Sequence, residues 1–313
     1  MDVHGGSMQR SLSRFSALAG TIAVGSLLAG CAASVPGPPV IAAPPAAAAP
    51  ALAPSGDFLA GLEQAVANEL NAINSTQTDN EPPAVLLELN ALSSQSALLQ
   101  AETFGKLMTT GANQIAKRER LVNALIADVK GTSYLSGVDL NGTALSTSIL
   151  ALLGRVDGQL QAQASSIQSA SLIDQLRSLI TNLGPSTRVF GLVEPAVHLA
   201  IAGGVELNAV SLLEGQYQTL LRKVSHFKLS PNYAAESARL QDLAANIAAV
   251  KSTVTADVAA VLALTPAGYP GNKATILSAR AQMALFRSPL GRLNTGAGDV
   301  NAIEVLLSQR TVQ

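Results

Sequence analysis

Cys31 is the single cysteine among 313 residues, and its thiol is the most reactive side chain that the sequence offers. A thiolate can act as a nucleophile, bind a metal or accept an acyl group. A lone cysteine is more often a small buried hydrophobe. Here it follows basic residues, an apolar segment at residues 15–28 and two small residues, Ala29 and Gly30. This order is typical of the end of a secretory leader.

The stretch Leu28-Ala29-Gly30-Cys31 resembles the lipobox of bacterial lipoproteins. The resemblance covers only residues 1–31. It implies cleavage between Gly30 and Cys31 and attachment of fatty acyl chains, such as palmitate, to the new terminal cysteine. The apolar segment of about 14 residues is shorter than the ~20 that a transmembrane helix requires. We therefore predict a signal peptide at residues 1–30 and lipidation at Cys31.

Ala32, the residue after the cysteine, bears on the location of the protein. In the lipoprotein family an aspartate at this position retains the protein at the inner membrane. The resemblance therefore implies a lipid-anchored protein of the bacterial cell envelope. In a cell with two membranes, it favours the outer membrane, facing the periplasm.

Other side chains with possible chemistry are few. Glu194 and His198 stand four residues apart and would share one face of a helix. The Glu-x-x-His spacing of di-iron helices and the His-Glu-x-x-His motif of zinc helices do not occur. A catalytic triad assembled from distant residues has no sequence spacing of its own. We predict no catalytic, cofactor-binding or metal-binding site, and no enzymatic activity.

Two short motifs are interpreted as structural. Residues 139–142, Asp-Leu-Asn-Gly, lack the further acidic ligands of a calcium loop and predict a turn. Residues 117–120, Lys-Arg-Glu-Arg, form a charged cluster that contains an acid, and we interpret it as a solvated helix face rather than a nucleic-acid patch.

Composition disfavours several classes of partner. The formal net charge is −1, so no basic surplus points to nucleic acid. Charged residues make up 13% of the chain, against about 25% in typical domains. Aromatic residues make up 3% and tryptophan is absent, which disfavours stacking platforms for bases or sugars.

Residues 31–55 are predicted to be a linker. Seven prolines lie among alanine, glycine and serine residues between positions 36 and 54. Proline removes a backbone donor and breaks helices, so this segment should remain extended and without fixed structure. It would tether a folded domain at residues 56–313 to the lipid.

The folded domain is predicted to be all-α, an elongated bundle of four long helices with shorter flanking helices. Apolar residues recur at three- and four-residue steps, and no stretch alternates with a period of two. The predicted long helices cover residues 84–130, 143–183, 186–227 and 231–265, and short helices cover 58–73, 273–287 and 299–310. The last long helix carries a coiled-coil-like apolar seam: Leu240, Leu243, Ile247, Val250, Val254, Val258 and Val261.

The most apolar window after the linker is Val189–Leu213. It is hydrophobic nearly all round, so it lies either in the bundle core or in a membrane. Glu194 and Glu206 oppose insertion, at up to about 2.5–3.5 kcal/mol for each charge at the bilayer centre. We therefore predict a buried central helix.

Two features of this window predict its packing. Ala196, Ala200 and Gly204 form a ridge of small residues at four-residue spacing, suited to close contact with another helix. Pro195 lies inside the predicted helix, and its ring would crowd the carbonyl of Gly191, so a bend is expected there.

These features favour a lipid-anchored scaffold or protein-interaction module. Its expected partners are the membrane, through the lipid, and an envelope protein or a second copy of the chain. Two alternatives remain open at this stage. One is a membrane-remodelling protein that resembles the α-helical pore-forming toxins, and the other is a carrier that holds an apolar ligand between its helices.

The lipid assignment predicts that Cys31→Ser loses the incorporated fatty acid and is released from membranes or left uncleaved. The hydroxyl group does not replace the thiol as the acyl acceptor of this leader. Metabolic labelling with a fatty acid, followed by membrane fractionation, measures both effects. Equal labelling of the Ser variant would contradict the assignment.

Overall fold

The computed structural model describes residues 56–73, 97–287 and 291–309. Within these residues the fold is all-α, as predicted, with one very short hairpin. The elements, in chain order, are α1 (Gly56–Ala72), α2 (Ala97–Gly131), a 3-10 turn (Ser133–Ser136), β1 (Asp139–Leu140), β2 (Thr143–Ala144), α3 (Leu145–Gln168), α4 (Ile173–Thr187), a π-helical turn (Val189–Val193), α5 (Glu194–Ser225), α6 (Tyr233–Leu262), a 3-10 turn (Pro266–Gly268), α7 (Asn272–Arg287) and α8 (Arg292–Ser308). The predicted leader, the predicted linker and the predicted start of the first long helix lie outside the described residues.

The β1–β2 hairpin contains the predicted turn. Asn141 and Gly142 have positive φ angles of 55° and 86°, the backbone that a two-residue hairpin loop requires. The carboxylate of Asp139 accepts a hydrogen bond of 2.6 Å from the Gly142 N–H. The interpretation of residues 139–142 as a turn is therefore confirmed.

The prediction of one helix over residues 143–183 is wrong, because the chain breaks between α3 and α4. α3 ends at Gln168, and α4 begins at Ile173 after Leu172 has adopted an extended backbone. The Ser169 hydroxyl donates to the Ser166 carbonyl at 3.2 Å, which gives the backbone a local alternative to helix. The apolar spacing continues across this break and conceals it in the sequence.

The predicted helix end at Gly184-Pro185 is also wrong. α4 continues to Thr187, and Pro185 lies exposed in its last turn. The helix ends instead at Arg188, which has a positive φ of 47° and whose N–H donates to the Gly184 carbonyl at 2.9 Å.

The predicted helix over residues 186–227 begins later than expected. The regular part, α5, starts at Glu194, so Pro195 lies in its first turn, where a missing N–H costs no helical hydrogen bond. At Gly191, where a bend is predicted, the chain forms the π-helical turn. There the N–H groups of Leu192 and Val193 both donate to the Arg188 carbonyl, at 2.9 and 3.1 Å.

α5 is the buried central helix that the sequence predicts. It packs against α1, α6, α7 and α8, and it also contacts α2 and α3. From Val189 to Val210 nearly every side chain is buried, including those of Glu194 and Glu206. The seam predicted for the following helix is confirmed on α6, where all seven of its residues are buried.

Two adjacent glycines allow neighbours to approach α5 from two directions. A Cβ on Gly203 would collide with Val258 of α6 and lie 3.2 Å from Met283 of α7. A Cβ on Gly204 would lie 2.5 Å from Leu135 Cδ2, in the 3-10 turn after α2. Both positions therefore need a residue without a side chain.

We predict that Gly203→Ala lowers the free energy of unfolding by about 1–3 kcal/mol, through overpacking. Val258 is β-branched and cannot easily rotate away from the added methyl group. Gly215→Ala is the matched control on the same helix, because nothing lies within 4 Å of its Cβ position. That change should be neutral or stabilise by up to about 1 kcal/mol. Urea unfolding compares the two, and equal effects would contradict the packing described.

Candidate functional site: a buried histidine–carboxylate cluster

A polar cluster lies where α1 packs on α5. α1 buries Val66 and Leu70, and Glu69 belongs to the same stripe because three- and four-residue steps share a helix face. Docking of α1 therefore carries the Glu69 carboxylate into the interior. A buried carboxylate requires a partner there, since desolvation of an unpaired charge is costly.

His198 on α5 is that partner. Its Nδ1 lies 2.7 Å from Glu69 Oε2, and the two side chains are only 14% and 7% exposed. With so little water around it, this pair is screened far less than an ion pair on the surface. The contact joins residues 129 positions apart in the sequence and connects α1 to the central helix.

Three further polar groups surround the pair: Asp128 at the end of α2, Tyr134 in the 3-10 turn and Glu194 one turn before His198 on α5. Burial raises the pKa of Asp128, and the negative charge of Glu69 raises it further. Burial likewise raises the pKa of Tyr134, to which the charges of Glu69 and Asp128 add. The cluster is thus richer in acids than in bases.

The surrounding acidic groups change the pKa of His198. Burial by itself lowers its pKa, but the hydrogen bond and charge of Glu69, together with the charges of Glu194 and Asp128, outweigh burial. The pKa of His198 is therefore raised above its ordinary value of 6.5. The shift favours the protonated imidazole, which can form a desolvated ion pair with Glu69.

The sequence pairs His198 with Glu194, whereas the structure pairs it with Glu69. Glu194 acts on His198 through its charge, and sequence reasoning missed Glu69 entirely. The sequence does contain one signal for Glu69, because it lies on the apolar face of α1. An acid on that face is buried when the helix packs against the core. Among the described residues, no group of three or more His, Cys, Asp or Glu side chains is arranged to hold a metal ion.

The interpretation of residues 117–120 as a solvated face is wrong for one residue. Arg118 is buried, and its guanidinium lies 5.4 Å from the centre of the Phe190 ring. Its Nη1 also donates to the carbonyl of Gln114 at 3.1 Å. A planar cation can be buried when it stacks on an aromatic ring and finds acceptors. Lys117 and Arg120 are exposed, as expected.

The predicted small-residue ridge lies in the core. Ala196, Ala200 and Gly204 are all buried on α5. Gly204 faces Leu135 in the 3-10 turn after α2 and Leu145, the first residue of α3. Gly30 and Cys31 lie outside the described residues.

A cavity of about 200 Å³ lies between α3, α5 and α6. Its lining is mostly apolar and includes Leu152, Val193, Ala196 and Val261. Ligand pockets usually measure about 300–1,000 Å³. This cavity is therefore smaller than a typical ligand pocket, and the apolar-ligand carrier stays a hypothesis.

Comparison with protein-family models, with curated proteins and with solved structures finds no match. The site is therefore interpreted from its own chemistry. A desolvated histidine–carboxylate pair can hold a proton and fasten one helix to another. α1 is the first described helix, so this pair fastens the N-terminal helix of the described residues to the central helix α5.

We predict that Glu69→Gln lowers the free energy of unfolding by about 1.5–3 kcal/mol at mildly acidic pH, the range for a hydrogen bond to a charged group. The loss should shrink as pH rises. A histidine whose pKa is raised by folding contributes stability in full below its ordinary pKa of 6.5. That contribution is lost as pH rises through the raised pKa. The raised pKa of Asp128 also makes the free energy of unfolding fall as pH rises, but this fall begins at a lower pH than that of His198. Measurements therefore start near pH 6.

Urea unfolding at about pH 6 and about pH 9 measures the difference. Glu102→Gln on the exposed face of α2 is the matched control, and its effect should not change across this range. A Glu69→Gln effect that is the same at both pH values would contradict a charged pair.

Proposed function

We propose that this chain is a lipid-anchored protein of the bacterial cell envelope whose helical domain acts as a protein-interaction module. The Leu28–Cys31 motif carries this proposal, because it supplies a cleavage position and an acyl acceptor together. The proline-rich linker would hold the domain away from the lipid. Two or more acyl chains make such anchoring stable without a membrane-spanning helix.

The packing of the domain supports attachment by lipid rather than by insertion. Two described helical stretches, Ile173–Ser225 and Tyr233–Leu262, are long and apolar enough to cross a membrane by length and composition alone. In the first, 78% of the most apolar window is buried within the protein, as in a core helix. The second exposes Arg239, Asp242 and Lys251 along its length, and these charges oppose insertion.

One exposed apolar surface suits a protein partner. Leu277 and Leu285 on α7 are both 62% exposed and stand eight residues apart, with exposed Ala281 midway between them. Steps of four residues place all three on one side of the helix. We call this surface the α7 face. Such a stripe of apolar residues resembles the anchors by which helices recognise one another.

The location follows from the same leader. Ala32 favours the outer membrane, with the domain in the periplasm, for the reason given by the family resemblance. The partner on the α7 face would then be an envelope protein or a second copy of the chain. For a second copy, the lipid would confine both chains to one surface and raise their effective concentration.

Site-specific photo-cross-linking in cells tests the interaction. A photoreactive residue in place of Leu277 should yield one discrete adduct, either to an envelope protein or to a second copy. The same residue in place of exposed Thr181, on the polar face of α4, is the matched control and should yield none. Absence of any adduct at Leu277, together with leakage of dye from vesicles carrying the lipidated chain, would favour membrane remodelling instead.

A further inference from the structure

The connection between α5 and α6 combines exposed apolar side chains with positive charge. We call residues 221–231 the α5–α6 tip. Leu229 is fully exposed, and Phe227 is 51% exposed. Large apolar side chains that are exposed together in one connection often mark a contact surface.

The backbone of the tip is fixed by successive turns. The Phe227 N–H donates to the Val224 carbonyl at 3.0 Å, and the Ser230 N–H donates to the Phe227 carbonyl at 2.9 Å. The Tyr233 N–H then donates to the Ser230 carbonyl at 3.1 Å. Leu229 is therefore held outward by an ordered turn rather than by a loose loop.

The charge of the tip has one sign. Arg222, Lys223 and Lys228 are exposed, and no acidic residue occurs in the sequence between Glu214 and Glu236. The chain as a whole has 20 basic and 21 acidic residues, so a stretch with only basic charges is a local departure.

We propose that the α5–α6 tip docks on an anionic bilayer surface. Leu229 and Phe227 would enter the interfacial region, while the three cations remain at the level of the headgroups. Each lysine or arginine close to an anionic surface tightens binding by about fivefold. Three of them together tighten it by about a hundredfold.

The composition of the tip favours an anionic bilayer as its partner. Leu229 is fully exposed beside three exposed cations, and no acidic residue lies between Glu214 and Glu236 in the sequence. A bilayer that carries anionic lipids offers such a surface apolar chains and negative charges together. This proposal rests on the proposed lipid anchor in one respect, because the anchor brings a bilayer close to the tip. The exposed apolar and basic side chains of the tip do not depend on Cys31.

An environment-sensitive dye on His226→Cys tests the proposal in the full chain. The dye reports the polarity around the tip when the protein meets vesicles of phosphatidylcholine with phosphatidylglycerol, or of phosphatidylcholine alone. We expect a blue shift on the anionic vesicles only, which added salt reverses. Arg222→Gln, Lys223→Gln and Lys228→Gln together should weaken the dye response to anionic vesicles by about a hundredfold.

Leu229→Ser should lose the blue shift, whereas Leu172→Ser, in the connection between α3 and α4, is a matched control of an exposed leucine outside the tip and should keep it. An unchanged emission on anionic vesicles, or an equal shift on neutral ones, would overturn the proposal. A shift that requires an added acidic protein would assign the tip to a protein partner and overturn it as well. Failure of the lipid anchor is distinguishable, because it appears as loss of co-flotation with neutral vesicles.

Discussion

The close packing of α5 is the constraint on which the rest of the structure depends. A helix that is apolar nearly all round must be covered on every side, and α1, α6, α7 and α8 cover it. Gly203 and Gly204 let Val258 and Leu135 approach where any side chain would collide. The positions of the other helices follow from this coverage.

The same burial creates the polar cluster. His198 belongs to the covered helix, so it must find its partner inside the protein, and Glu69 reaches it at 2.7 Å. Arg118 meets the same requirement differently, by stacking on Phe190. These buried charges add polar contacts, from α1 to α5 and from α2 to the π-helical turn, to the apolar packing of the core.

Sequence reasoning predicted what depends on local periodicity and failed where contacts are distant. The α6 seam and the burial of α5 follow from spacing, and the turn at Asn141-Gly142 follows from residue type. The break after Gln168 was hidden because apolar spacing continues through serines that redirect the backbone. The Glu69–His198 pair was missed because its partners are 129 residues apart, and no local pattern encodes such a pairing.

In this account the chain attaches to the membrane through Cys31 while α5 stays inside the protein. Photoactivatable phospholipids in vesicles that carry the full lipidated chain test this claim most directly, with adducts mapped by mass spectrometry. The account predicts adducts at the acylated terminus and at the α5–α6 tip, and none within Val189–Leu213. Adducts distributed along Val189–Leu213 would contradict it.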